Sequence, residues 1–328
     1  MANTSGFCLS RNPHRLVESP QEMPPAGGAR MHHLLTHPVW TSELHCGIVF
    51  SVARAAVYYF DFSGYPAAAS AWETDGRDPL TVDQSERDAV LGKRMQVMNA
   101  FCLFLHHAHL AVEGQYEAPQ RPTAADVIHV DAQGSGGWGW NAMSRVVALS
   151  ADGDQLMVHP IPIPLSVIKE AVRLLDETLQ AEPQAVELAS LIGRALTSSS
   201  EGDFPAAVVM GWSACEFFIQ RKWRLYYTQS LQNRTNAPPA RRDKELLDGR
   251  DFTASVVTQI LRIANLLSEA EVTSLNQVRK QRNNWAHSIT TPTRQASVDV
   301  VQLAVQMFGD AYGVNFTVNP NPGPDYAF

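Results

Sequence analysis

The chain has 328 residues, of which 45% are hydrophobic and 18% charged, enough apolar side chain for two cores, so disordered, collagen-like and low-complexity classes are excluded. Its 26 basic and 33 acidic residues leave a net charge of −7, which excludes a generally cationic nucleic-acid coat or a polybasic membrane-surface protein; a polyanionic partner has to meet a local patch. The four cysteines, Cys8, Cys46, Cys102 and Cys215, stand far apart without a Cys-x-x-Cys pair, which fits reduced thiols in a cytoplasm better than a zinc ribbon or a disulfide scaffold.

Met1 to Arg15 lacks a basic segment followed by an apolar one, so no secretion signal is expected, and the prolines and glycines from Pro20 to Gly28 make residues 1–30 read as a flexible leader. The most apolar stretches are Ile48 to Phe60, broken by Arg54, and Ala100 to Val112, broken by His106, His107 and His109. Both fall short of the roughly 20 clean residues a bilayer requires, so no membrane association is expected.

Residues 31–165 read as a mixed α/β domain that senses a signal or binds a partner of unknown kind. Ser85 to Gly114 is a long helix, with Thr81 and Gln84 at capping-box spacing, and Val127 to Val130, Arg145 to Leu149 and Gln155 to His159 are short strands. Asp152-Gly153 marks a hairpin between the last two. His106 and His109 stand at zinc-ligand spacing, but no Cys, Asp or Glu pair accompanies them, so core or surface histidines fit better and no metal is expected. Gly134, Gly136 and Gly139 match the dinucleotide-loop spacing, yet no helix pattern follows; a flexible loop is the better reading and no cofactor is expected.

Pro160, Pro162 and Pro164 favour an extended connector and place the domain boundary near residue 165. The first 165 residues carry 10 basic and 16 acidic side chains, and residues 166–312 carry 16 of each, so the acidity sits in the front half. Residues 166–312 read as helices throughout. Ser166 to Gln180 and Gln184 to Leu196 come first. Phe204, Val208, Trp212, Cys215, Ile219, Trp223 and Tyr226 then form the stripe of a long core helix. Val256, Ile260, Ile263 and Leu267 make a second stripe, Val272, Leu275 and Val278 a third, and Val298, Val301, Val305 and Phe308 a fourth, with Pro292 in the first turn of that last helix. Residues 313–328, with Pro320, Pro322 and Pro324, read as a flexible tail held at most by its aromatics. The fold class is therefore α+β, a mixed amino-terminal domain followed by an all-α bundle.

The chemistry-bearing segment is Val278 to Ser288, which holds Arg282-Asn283-x-x-x-His287 on a helix just before the final one. At about 100° per residue Asn283 and His287 share a face, whereas Arg282 and His287 are about 140° apart, so Arg282 either reaches round or comes from a second copy. Arg282 also falls inside the stripe of Leu275, Val278 and Trp285, where a guanidinium needs a carboxylate or phosphate; Glu216 of the long core helix is the candidate partner.

Over residues 184–310 the chain resembles the HEPN superfamily, whose R-x4-6-H motif lies near the last core helix of an all-helical bundle. It departs from the commonest form in having Ser288, not glycine, after His287, and Ile289 where some members carry a tyrosine. The resemblance implies a metal-independent endoribonuclease acting as a homodimer in the cytoplasm, with Arg282, Asn283 and His287 as site residues. It implies 2′,3′-cyclic phosphate and 5′-hydroxyl products, and a role in bacterial phage defence or as a stress-response toxin. A non-catalytic helical module that binds RNA or protein is the alternative. RNA contacts are expected from Arg221, Lys222, Arg224, Arg241, Arg242, Arg279 and Lys280; Arg234, Lys244 and Arg250 belong to the same basic stretch, among which Trp223, Tyr226 and Tyr227 stand, and Arg294 adds charge beside the motif.

Overall fold

A computed structural model describes residues 3–7, 14–16, 37–53, 56–75, 81–113, 121–123, 126–130, 136–138, 161–232 and 252–320. The fold is α+β, and it divides into two compact units, residues 1–193 and 194–328.

The first unit is built on a six-stranded antiparallel sheet of order β3-β4-β5-β1-β6-β7, formed by β1 (Thr4–Phe7), β3 (Pro38–Glu43), β4 (Val49–Ala53), β5 (Tyr58–Asp61), β6 (Val127–Val130) and β7 (Gly136–Trp138). A separate parallel pair joins β2 (His14–Leu16) to β8 (Ile161–Ile163). The expected leader is corrected here: Thr4–Phe7 lies inside the sheet, Gly6 pairing with Tyr59 on one side and with Ile128 on the other. Four residues are too few to show alternation, so only pairing partners distant in sequence reveal this strand. The expected loop around Gly136 is likewise a strand, while Gly134, Gly139 and the strands expected over 145–149 and 155–159 lie outside the described residues.

The apolar stretch from Ile48 is the β4–β5 hairpin, and the second apolar stretch lies on α2 (Gln84–Glu113), which follows the short α1 (Ala71–Asp75). Their aromatics meet. Phe101 of α2 stands 5.2 Å from Phe50, 5.2 Å from Tyr58 and 5.6 Å from Phe60 between ring centroids, and 6.3 Å from Phe7. Burying each such ring contributes about 1.5–3 kcal/mol, and the tilted pairs add to that. Asp83, not Thr81, caps α2: its carboxylate accepts from the Ser85 backbone N–H at 2.8 Å and from the Ser85 hydroxyl, and these bonds hold the carboxyl below the usual aspartate range.

Arg94 of α2 is 2% exposed and uses all five guanidinium donors, on Ala68 O, Ser5 Oγ, Asn3 Oδ1 and both carboxylate oxygens of Glu73. Asn3 Oδ1 also accepts from the Ser70 backbone N–H at 2.6 Å, so one polar cluster locks the first strand to α1 and α2.

The proline-marked boundary near 165 is also corrected. Helix α3 (Leu165–Ala181) packs on α2, its Asp176 accepts from the His45 N–H at 2.7 Å, and Lys169 lies 5.9 Å from the Trp40 ring centroid. It therefore belongs to the first unit, and the division falls within α4 (Pro183–Ser200).

The second unit contains α5 (Phe204–Gln232), α6 (Ala254–Ile263), α7 (Glu269–Ser288) and α8 (Arg294–Tyr312). Val208, Trp212, Cys215, Ile219 and Trp223 of the α5 stripe are buried, and desolvation pushes the Cys215 thiol up to about 12. The α8 stripe of Val298, Val301, Val305 and Phe308 is buried as well. These two helices run parallel and nearly in step: Arg294 lies over the Phe204 ring, Val300 meets Gly211, Phe308 meets Phe218 edge-on at 6.2 Å, and Arg221 lies 5.1 Å from the Tyr312 ring centroid. A Cβ on Gly211 would sit 2.8 Å and 2.9 Å from the two Val300 methyls, which is why this crossing takes glycine. Residues 313–320 are not a loose tail: Val314 and Phe316 are buried, with Phe316 5.5 Å from Phe308.

Of the stripe expected on α6, Leu267, just past the helix end, is buried, but the part on the helix itself points the wrong way. Ala254, Val257, Thr258 and Leu261 are buried, whereas Val256 is 42% and Ile263 81% exposed. Both sets satisfy a helical period, and the neighbouring helices select the first. Pro292 precedes the helix rather than entering its first turn, because Thr293 is the cap, its hydroxyl accepting from the Ala296 N–H at 3.2 Å.

Among the described residues no helix is long and apolar enough to cross a membrane.

Candidate active site

Helix α7 carries the motif, and its start is fixed by a capping box. Ser268 Oγ accepts from the Glu271 N–H at 3.2 Å, while Glu271 Oε2 accepts from the Ser268 N–H at 2.7 Å; Lys222 of α5 lies 3.7 Å from Glu271 Oε1. Burial pushes the Glu271 carboxyl up, but the Ser268 N–H, the Ser268 hydroxyl and Lys222 together hold it below the usual glutamate range.

A folded-state value below that of the unfolded chain, about 4.3, means a stabilisation that is complete above that pH and lost as pH falls through the lower folded value. Glu271→Gln is therefore expected to cost about 0.3–1 kcal/mol at pH 7. Urea denaturation should show the gap between variant and parent closing as the pH drops below about 4. A gap that persists undiminished in acid would show that the charge is immaterial.

Beyond the cap, Val272, Leu275 and Val278 are buried, and Arg282 follows on the same inward stripe beside the half-buried Trp285. Asn283 and His287, four apart, share the opposite face with Asn276 and Lys280. His287 is exposed and Arg282 half-buried. Arg282 Nη1 donates to Asn283 Oδ1 at 3.1 Å, so the guanidinium, rooted in the stripe, turns toward the outward face that carries the imidazole. Asn283 is thus the side chain that steers it.

The expected Glu216 partner is corrected: among the described residues no ion pair joins Glu216 to Arg282, whose hydrogen bond goes to Asn283. The reason is register. Lys222 meets Glu271 at the start of α7, while the short link from the end of α7 leads to Arg294 beside Phe204 at the start of α5, so α7 runs antiparallel to α5 and Glu216 falls nearer the level of the middle of α7 than of Arg282.

The same register separates the expected RNA contacts. From Glu271 to His287 runs about 24 Å of helix, so Arg221, Lys222 and Arg224 sit at the far end of the bundle from the imidazole. Arg221 lies over the Tyr312 ring and Lys222 meets Glu271, and Arg224 stands on the exposed side of α5. Arg279 donates to Asn276 Oδ1 at 3.2 Å, and Lys280 is exposed between the ends. Arg234, Arg241, Arg242, Lys244 and Arg250 lie outside the described residues.

Helix α7 ends in a left-handed residue, Ile289, at φ 53° and ψ 26°, whose N–H donates to Trp285 O at 3.0 Å. Glycine usually fills this place, and an L-residue there costs about 1–2 kcal/mol, most for a β-branched one. Ile289→Asn, which keeps a side chain but tolerates the conformation, is expected to raise stability by about 1 kcal/mol in thermal or urea unfolding. No gain would mean that the isoleucine, though 76% exposed, makes compensating contacts.

His106 and His109 are buried on α2, and among the described residues no group of three or more His, Cys, Asp or Glu side chains could hold a metal ion. Sequence reasoning missed the capping box, although Ser268-x-x-Glu271 was legible, and missed the Arg94 cluster, whose only signal is a cation preceding an apolar helical run.

No family model matches the chain, and neither a curated protein nor a solved structure matches it.

Proposed function

We propose that this protein is a metal-independent endoribonuclease in which two copies pool Arg282 and His287 in one cleft. The observation that carries the reading is the Arg282–Asn283 bond, which turns a guanidinium toward the face bearing an exposed imidazole. This is an arrangement suited to an anion.

Cleavage of RNA by its own 2′-hydroxyl forms a bond from the 2′-oxygen to phosphorus and breaks the bond to the 5′-oxygen. One group must take the 2′ proton and another must give a proton to the departing 5′-oxygen, while positive charge steadies the phosphate. Each chain offers one such histidine. A twofold dimer supplies two imidazoles, one neutral as base and one protonated as acid, and two guanidinium groups. The products are a 2′,3′-cyclic phosphate and a 5′-hydroxyl.

An enzyme that cuts RNA in its own cytoplasm has to be restrained, so the amino-terminal unit is assigned the sensing of a trigger, in the setting of phage defence or a toxin-type response. The alternative, a non-catalytic RNA- or protein-binding module, draws support from the motif's holding one histidine, His287, in each chain.

The test is incubation of purified full-length protein with total RNA in EDTA, beside Arg282→Ala and His287→Ala, with end-group analysis of the fragments and sedimentation to count subunits. Cutting that survives the chelator, leaves cyclic phosphate ends and vanishes in both variants supports the enzyme. RNA binding without cutting in any of the three proteins, or equal cutting in all, overturns it in favour of the binding module.

A further inference from the structure

Arg294 opens α8 at the end of the bundle to which α7 brings His287. The chain makes the reversal in five residues, Ile289 to Thr293, and α8 then starts beside the start of α5, where the Arg294 guanidinium carbon lies 5.9 Å from the Phe204 ring centroid. Three observations set this side chain apart. It is exposed, and among the described residues no carboxylate pairs with it. It occupies the first position of a helix whose first turn holds no acidic residue, where the partial positive charge of the backbone disfavours a cation. Its planar head is nevertheless held over an aromatic face, which orders it without neutralising it.

A cation set against the helix dipole, ordered over a ring and paired with no carboxylate among the described residues, keeps its donors directed at solvent, where an anion from outside the chain can meet them. We infer that Arg294 is a second cation of the site and contacts a phosphate of single-stranded RNA next to the one engaged by Arg282. The inference rests on the proposed ribonuclease reading and adds to it: the substrate is held through its backbone by residues on two helices, α7 and α8, rather than by the distant cations of α5. Arg294 is a substrate-binding residue here, not an acid or a base. The planar, multi-donor guanidinium suits the bridging of phosphate oxygens, and its charge makes the contact salt-dependent.

The experiment measures binding of a single-stranded RNA oligonucleotide to full-length protein across a salt series, in the His287→Ala background so that the probe stays whole. Parent, Arg294→Gln and Arg294→Lys are compared, with melting curves to show that an exposed first-turn change leaves the fold intact. Loss of one phosphate contact lowers the slope of log affinity against log salt by about 0.7 and weakens binding roughly eightfold near 50 mM salt. Arg294→Gln is expected to show both changes and Arg294→Lys to recover the slope, whereas a purely structural role would move the melting temperature and leave the slope alone. Should Arg294→Gln bind with the parent slope and affinity while the His287 protein still cleaves RNA, Arg294 is outside the site and the ribonuclease reading stands. If the His287 protein neither binds nor cleaves RNA, both fall together.

Discussion

Arg94→Ala is expected to destabilise the amino-terminal unit by about 3–5 kcal/mol, the size of effect found when one partner of a buried ion pair is removed. The side chain is 2% exposed, and its contacts are Glu73 at 3.0 Å and 3.2 Å, Asn3 Oδ1 at 2.9 Å, Ser5 Oγ at 3.2 Å, Ala68 O at 3.0 Å and the Phe62 ring at 5.4 Å. Truncation takes the guanidinium away from the Glu73 carboxylate, about one-quarter exposed, and opens a void among Asn3, Ser5 and Ser70. Marginal net stability, about 5–15 kcal/mol for a domain, makes a loss of that size visible as partial unfolding at ordinary temperature.

Arg94→Lys should recover little, because an ammonium has three donors where this site uses five in a planar fork. Pairing Arg94→Met with Glu73→Met should cost less than Arg94→Met alone, since removing both charges avoids an uncompensated one. Urea titration of these four proteins measures the effects. A loss under about 1 kcal/mol for Arg94→Ala would show that the cluster is a bystander to stability.

His287→Ala is expected to lower RNA cleavage by about 10²–10⁴-fold, the usual contribution of a positioned acid or base. In the proposed dimer one substitution removes both proton-transfer groups at once, which places the effect at the upper end. Mixing His287→Ala protein with an excess of Arg282→Ala protein gives the sharper result. Heterodimers retain one imidazole and one guanidinium, so any recovered activity above the two parents identifies a site shared between subunits. Because His287 is exposed at the end of α7, the alanine variant should melt within about 0.5 kcal/mol of the parent, so lost activity is not lost fold. Unchanged cleavage in the purified variant would remove His287 from the chemistry.

Legibility in the sequence follows the range of the interactions involved. The stripes of α5 and α8 could be read directly, and Val208, Trp212, Cys215 and Phe308 are buried as their spacing requires, because a helical period is imposed by neighbours three and four residues away. The 140° offset of Arg282 from His287 was equally local, and the bond to Asn283 is its answer: a long side chain rooted inward and turned outward. The α6 stripe failed where two faces obeyed the same period. Val256, Ile260 and Ile263 were as apolar a choice as Ala254, Val257 and Leu261, and burial depended on which face the other helices covered.

By itself, the sequence determined an α+β chain, the periods of its long helices and the placing of arginine, asparagine and histidine on one helix before the last. Each of these depends on contacts within a turn or two of backbone. Only the tertiary structure decided that Thr4–Phe7 is an inner strand, since its partners, Tyr58–Asp61 and Val127–Val130, lie more than fifty and more than a hundred residues along the chain. It alone decided that Glu216 stands out of step with Arg282, since that offset is set by Lys222 meeting Glu271 across two helices. Helical spacing fixes which side chains share a face, but the relative slide of two helices is a packing solution, and no periodicity within either one encodes it.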